Sequence, residues 1–136
     1  MSIPASRRSQ GEMVVITKAR ILREYTIKTC TNEKHFPKRY RWCITKNIID
    51  NCNQVTDLIL AANEVKVENL SDKLRRLERQ KTALELTTVL LDNINVAYDV
   101  FHFKINTLDE WTRKITDIQN LLRAWIRSDS TRYTNI

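Results

Sequence analysis

Two short stretches of the chain concentrate the residues that have chemistry to offer. Between Lys34 and Lys46, the cations Lys34, Lys38, Arg39, Arg41 and Lys46 are interleaved with Phe36, Tyr40 and Trp42, and His35 stands among them. Lys and Arg neutralise phosphates while aromatic faces stack on unpaired bases, so the combination suits structured RNA or single-stranded nucleic acid. The alternative is that the aromatics cap the end of a packed core and the charges are merely solvated. Between Lys73 and Lys81, the cations Lys73, Arg75, Arg76, Arg79 and Lys81 stand against the single acid Glu78. They open a helical pattern, where each cation opposes the helix dipole by roughly 0.3 kcal/mol or more. The expectation is therefore a partner outside the helix, phosphate or an acidic protein surface, with a solvated face as the alternative.

Catalysis finds little support. His35 and His102 are the only histidines and lie in unlike contexts, and there is no nucleophile elbow, Gly-rich phosphate loop or H-E-x-x-H. Asp92 and Asp99 share a helical spacing, as in di-iron bundles, but the Glu-x-x-His that such a centre requires is absent. Cys30, Cys43 and Cys52 are odd in number and lack C-x-x-C or Cys/His metal spacing, which predicts reduced thiols in a reducing compartment. No enzyme activity, metal site or cofactor is expected.

The charge is patterned as well as positive. The formal net charge is +7, with 23 Lys and Arg against 16 Asp and Glu. From Met1 to Lys46 there are eleven bases and three acids, a net of +8, while Asn47 to Asp72 carries one base and five acids, a net of −4. Such a balance predicts attraction to polyanions and locates it away from the Asn47–Asp72 stretch. Arg7 and Arg8, in a Ser- and Arg-rich segment broken by Pro4, add a basic arm that could touch phosphate or simply be solvated. No apolar signal region opens the chain and no run approaches the ~18 apolar residues of a membrane span, so a soluble cytoplasmic protein with no membrane partner is expected.

The elements that must position these residues are helices. Gly11 is the only Gly, Pro4 and Pro37 are the only prolines, and nothing after Lys38 punctuates the chain as hairpins demand. A first helix is expected from Glu12 or Met13 to about Thr29, with Ile16, Ala19, Leu22, Thr26 and Cys30 on one face. Pro37 keeps Phe36 out of helical conformation and makes Thr31–Arg41 a connector. A second helix from about Trp42 to Asn63 buries Ile44, Ile48, Cys52, Val55, Ile59 and Ala62. The third, from about Leu74 to Phe103 with a cap at Ser71, carries Leu77, Leu84, Leu91 and Tyr98 at heptad spacing, widened by Ala83, Leu90, Ile94, Ala97 and Phe101. The fourth begins near Leu108 behind a Thr107 cap and buries Trp111, Ile115, Ile118, Leu122 and Trp125. The economical architecture is an all-α, antiparallel, up-down-up-down four-helix bundle over 12–128, with a flexible arm at 1–11 and a tail at 129–136.

The third helix is apolar on a second side. Leu86, Val89, Val96, Val100 and Phe103 form a stripe displaced by roughly 150° from the first, at about 100° per residue. A helix apolar on two sides needs two partners, one of them another subunit, so a homo-oligomer is expected.

Particular runs carry a resemblance. Phe36-Pro37-Lys38-Arg39-Tyr40-Arg41 opening the second helix, Ala61-Ala62-Asn63 closing it, and Leu121-Leu122-Arg123-Ala124-Trp125 closing the fourth resemble one four-helix-bundle family. That family includes the proteins encoded in bacterial 23S ribosomal RNA intervening sequences and the accessory variability determinant (Avd-like) proteins of diversity-generating retroelements. The likeness spans about Val14 to Ser128; the Gly expected shortly before the fourth-helix Trp is missing, and Leu122, Arg123 and Ala124 stand there. The resemblance implies a ring-shaped homo-pentamer without catalytic activity that partners a reverse transcriptase and binds its template RNA and complementary DNA. It implies that Lys38, Arg39, Arg41 and the Lys73–Lys81 set face nucleic acid or polymerase. An RNA-binding protein tied to ribosomal RNA processing, or a helical protein-interaction module, are the alternative functions.

Overall fold

A computed structural model describes the backbone from Ala5 to Ile136 and the side chains from Val14 onward. Four helices follow one another: α1 (Ala5–Cys30), α2 (Lys46–Glu64), α3 (Leu70–Phe101) and α4 (Ile105–Arg132), with a 3-10 turn at Lys38–Tyr40 and a π-helical turn at Arg41–Thr45 leading into α2. Among the described residues there is no strand.

Contacts between helices run in opposite chain order, which makes neighbours antiparallel. On α1 and α4, the Tyr25 hydroxyl donates to the Thr107 carbonyl (3.2 Å), whereas the earlier Lys18 reaches the later Asp117 (3.7 Å). On α3 and α4, Arg76 meets Asp129 and Thr87 meets Gln119. Each helix also packs on its neighbour in sequence, and α1 packs on α4 to close the bundle. The ends of α1 and α3 therefore share one pole with the starts of α2 and α4.

The buried rows explain why these segments are helical. On α2 the row is Ile48, Cys52, Val55, Ile59 and Ala62, as the spacing predicts, but α2 starts at Lys46 instead of Trp42, and Ile44, expected in the same row, is half-buried in the π-helical turn before it. On α1 it is Val15, Ala19, Leu22, Thr26 and Cys30, so Val15 takes the place expected of Ile16, which is only half-buried. On α3 the central row is Ala83, Leu90, Ile94 and Ala97, while the heptad leucines Leu77, Leu84 and Leu91 flank it half-buried. Ala83 and Ala97 in that row leave room for close approach, while Leu90 and Ile94 fill the core between the helices. Towards the start of α3 the same row turns polar through Thr87, Gln80 and Arg76.

Several boundaries differ from the sequence expectation. The helix α1 starts at Ala5, so part of the segment read as a flexible arm is helical; Ala5, Arg7, Arg8 and Gln10 have good helix propensity and outweigh Ser6, Ser9 and Gly11. The phosphate contact expected of Arg7 and Arg8 lies outside the described side chains. The N-cap of α3 is Asn69, not Ser71: its Oδ1 accepts the Asp72 N–H (2.9 Å) while the Asp72 carboxylate accepts the Glu68 N–H (3.1 Å). Finally α4 begins at Ile105 and runs to Arg132, so Thr107 is not its cap and residues 129–132 of the expected tail continue the helix. His102, in the left-handed region at φ 53°, ends α3, and the chain turns at His102–Lys104 instead of Asn106–Thr107.

That early turn reassigns Phe103. Expected on an oligomer stripe, it is 4% exposed and stacks on Phe36 at 5.4 Å between ring centroids. Phe36 also meets Phe101 (5.1 Å) and Trp111 (6.0 Å) edge-on, and Tyr40 meets Phe101 (5.1 Å), so the connector plugs this pole with rings. Edge and stacked aromatic pairs contribute about 0.5–1.5 kcal/mol each beyond the area they bury. Leu86 is half-buried against the core; of the stripe, Val89, Val96 and Val100 remain about 45% exposed. No described helix is long and apolar enough to cross a membrane.

Candidate nucleic-acid interface at the α1–α2 corner

The connector is built from its own hydrogen bonds. Asn32 accepts the Lys34 N–H on its side chain (3.1 Å) and the Phe36 N–H on its carbonyl (2.9 Å), which turns the chain off α1 and aims Phe36 inward. Pro37, at φ −61° and ψ 140°, starts the 3-10 turn. The π-helical turn that follows leads into α2, and Trp42 lies off the Ile48–Ala62 row. Trp42 is 75% exposed, whereas Trp111 and Trp125 are buried.

Around Trp42 lies a groove of about 440 Å³, lined by Cys30, Phe36, Pro37 and Ile49 on its apolar side and by Lys38, Arg41, Thr45 and Lys46 among its polar residues. Glu33 and Asp50 also line it and pair with Lys38 (3.3 Å) and Lys46 respectively. The guanidinium of Arg39 lies over the Tyr40 ring at 4.9 Å. Lys34 and Arg41 are exposed, and neither meets a carboxylate among the described residues. A second groove of about 390 Å³ opens on the α1–α4 side of the same pole, between Lys28, His35, Lys104 and Thr107. All five cations expected here, Lys34, Lys38, Arg39, Arg41 and Lys46, thus reach solvent at one pole of the bundle.

The second cluster is placed differently. Arg76 is 4% exposed; its Nε donates to Asp129 Oδ2 (2.6 Å) and its Nη2 to Oδ1 (3.2 Å), while Gln80 Nε2 donates to the same carboxylate (2.8 Å). Its guanidinium also lies over the Trp125 ring at 5.0 Å. The Arg79 Nη1 donates to the Ala61 carbonyl near the end of α2 (3.0 Å), and Lys73 Nζ donates to the Tyr133 and Ile136 carbonyls beyond α4 (2.9 and 3.2 Å). Arg75 pairs with Asp72 at 3.3 Å on the surface, and Lys81 is exposed. These cations do oppose the dipole of their own helix. In an antiparallel bundle, however, the start of α3 adjoins the ends of α2 and α4, whose carbonyls and negative dipole ends they satisfy. Arg76, buried on Asp129, is not available to phosphate.

Two thiols sit under the α1–α2 corner. Burial pushes Cys30 up to about 12, with Cys52 a second cause, and burial also raises Cys52, whose Sγ lies 3.6 Å from the Thr26 hydroxyl. Cys43 is exposed. Among the described residues no three His, Cys, Asp or Glu side chains converge as metal ligands would.

Sequence reasoning found the cations and rings of the corner but missed Thr45, Glu33 and Asp50 in the groove. Nothing local announces a π-helical turn, so Thr45 had no sequence signal, whereas Asp50 stands four residues after Lys46, an ion-pair spacing on a helix. Asp129 did have one: it continues the Trp111, Ile115, Ile118, Leu122 and Trp125 row by one more turn. No family model matches the chain, and neither a curated protein nor a solved structure matches it.

Proposed function

We propose that this protein is a non-catalytic binding subunit that holds single-stranded RNA or DNA at the α1–α2 corner and serves a reverse transcriptase as its accessory. One observation carries the nucleic-acid part: five cations and an exposed Trp42 share one pole with open grooves beside them, while most of the matching cluster at the other pole is spent on helix ends. Cations that attract phosphate and an aromatic face free to stack are what unpaired strands need. The polymerase partner and a diversity-generating retroelement rest on the resemblance of the Phe36–Arg41 and Ala61–Asn63 runs. A homo-oligomer is supported by Val89, Val96 and Val100, an exposed apolar row on α3 at i, i+7 and i+11.

The test is a salt titration of nucleic-acid-free protein against a structured RNA and a single-stranded DNA, with solution mass on the same sample. Binding that weakens steeply between about 50 and 200 mM salt is expected. A pentamer of the 16.1 kDa chain has a mass of about 80 kDa. Weak, salt-indifferent binding overturns the nucleic-acid reading, and a monomeric mass overturns the oligomer. Co-purification with a reverse transcriptase encoded beside this chain tests the partner; its absence from the complex leaves an RNA-binding bundle.

A further inference from the structure

The outer side of α3 carries a second pattern besides its core row. At about 100° per residue, Leu86, Val89, Asn93, Val96 and Val100 fall in one stripe, with the i, i+3, i+7, i+10, i+14 spacing of a coiled-coil seam. Val89, Val96 and Val100 are about 45% exposed and Leu86 and Asn93 are half-buried, so the stripe is open to a neighbour. In heptad terms Leu86, Asn93 and Val100 stand at a, and Val89 and Val96 at d. A polar residue at a, here Asn93, is the position that fixes register in such seams. From Glu85 to Val100 the stripe is about 22 Å long, enough to seat about four turns of a partner helix.

The flanks of the seam define that helix. Glu85, Asp92 and Asp99 recur every seven residues at the g position; all are exposed, and none pairs with a cation among the described residues. The e position on the other flank belongs to Leu90 and Ala97, which are buried in the bundle. From Thr82 to Phe103 there are three acids and no Lys or Arg, in a chain of net charge +7. Charges beside an apolar seam select its partner, and here all of them are negative. Phosphate is repelled by such a face. A second copy docked on it with two-fold symmetry and antiparallel helices would set one acidic flank against the other. Nor do the basic faces of this chain match the seam. On α1 the exposed Val14 and Ile21 are followed at the same spacing by Lys28, with Thr17 and Glu24 between them, and the outer side of α4 carries Arg113, Thr116, Asn120, Arg123 and Arg127.

We infer that the outer face of α3 docks a basic amphipathic helix of another protein, with its apolar residues on Val89, Val96 and Val100 and its Lys or Arg side chains against Glu85, Asp92 and Asp99. This rests on the accessory reading above and adds to it the face that meets the partner protein. It assigns the valine row to that partner, and a second copy on the same row is the rival outcome.

The experiment uses the full chain, free of nucleic acid, and a fluorescein-labelled peptide of about three heptads with Leu at a and d and Lys at e and g. The net charge of +7 opposes a basic peptide, so binding requires a local acidic face. Wild type binds it at about 150 mM salt, and binds a control peptide with Ser at a and d about tenfold or more weakly. Asp92→Lys with Asp99→Lys, and separately Val89→Ser with Val96→Ser, each lower the affinity about tenfold or more while helix content by circular dichroism is unchanged. Affinity for single-stranded RNA, measured on the same samples, is unchanged in the Val pair. A chain that takes the peptide but no RNA loses the strand reading and keeps this docking face. No binding of the peptide by wild type, or binding indifferent to the Asp pair, overturns the inference. So does an oligomer that excludes the peptide and that Val89→Ser with Val96→Ser turns into a monomer, because a second copy then covers the seam.

Discussion

At one pole of the bundle Lys73, Arg76 and Arg79 end on the carbonyls of residues 61, 133 and 136 and on the Asp129 carboxylate. At the other, Lys34 and Arg41 reach solvent, Arg39 lies over the half-buried Tyr40 ring, and Trp42 stands beside an open groove. The two sets have five cations each, one spread over 34–46 and the other over the shorter 73–81. What separates them is which helix ends they adjoin. The start of α3 meets the ends of α2 and α4, whose negative dipoles and free carbonyls absorb cations. The connector before α2 meets the end of α1, but the Thr31 and Asn32 N–H groups and the Thr31 hydroxyl already take up the Ile27, Lys28 and Thr29 carbonyls there. Cations there meet at most exposed carboxylates, Lys38 with Glu33 and Lys46 with Asp50, or an adjacent ring.

Removing Arg76 should break the first half of this contrast most severely. Arg76→Ala leaves the buried Asp129 carboxylate with Gln80 alone, and the loss is expected to be about 3–5 kcal/mol of unfolding free energy. For a chain of this size that lowers the melting temperature by about 10–15 °C. Arg76→Met combined with Asp129→Leu, which removes both charges, should recover most of it. Urea unfolding of the two variants and wild type measures both. An Arg76→Ala protein as stable as wild type would mean that the buried pair is not what holds α3 to α4.

The thiols beneath the open pole give a second large effect, and a contrast within that pole. Cys30 is held near 12 against an ordinary value of 9.0. The unfolded chain ionises first as pH rises, so it binds fewer protons than the fold between about 9 and 12, and stability declines across that window. A shift of three units bounds the loss from Cys30 at about 4 kcal/mol. Cys30→Val should flatten the decline measured by urea unfolding at pH 8, 9 and 10; an unchanged slope would assign it to other groups. At pH 8 a thiol reagent should modify exposed Cys43 and leave Cys30 and Cys52 until the protein is unfolded.

The contrast also explains what could be read from the chain and what could not. Four helices, the α4 core and all of the α2 core but Ile44 follow from spacing, because burial on a helix face has a period that residue types record, and the antiparallel order follows from the short connectors. The fate of a cation does not have such a record. Arg76 and Arg41 look alike in sequence, and only the neighbour that tertiary packing brings, Asp129 in one case and solvent in the other, distinguishes them. Phe103 departs from its expected place for a related reason. Helical phase carried through His102 puts it on the α3 stripe, but the left-handed backbone of His102 turns it into the ring cluster.

Smaller effects grade the first cluster by depth. Arg79→Met removes a charge-assisted bond to the Ala61 carbonyl and should cost about 1.5–3 kcal/mol. Arg75→Gln loses an exposed pair with Asp72 and should cost less than about 1 kcal/mol. If Arg75 mattered as much as Arg79, surface charge and not carbonyl capture would hold this pole.

The open cluster should show the reverse pattern, with the least effect on stability and the clearest on binding. Replacing Lys38, Arg39 and Arg41 together with Gln touches no buried partner and should alter unfolding by about 0.5 kcal/mol or less. Every phosphate that is no longer neutralised takes about 0.7 from the salt slope on a single strand, so the slope should fall by up to about 2. Arg75 and Lys81, the exposed members of the other cluster, provide the matching control: replaced with Gln, they should leave the slope where it was. A fall in slope from that pair, with none from the Lys38 set, would put the strand at the opposite pole. The open cations would then be solvated surface, and carbonyl capture at the start of α3 would coexist with phosphate binding a turn away.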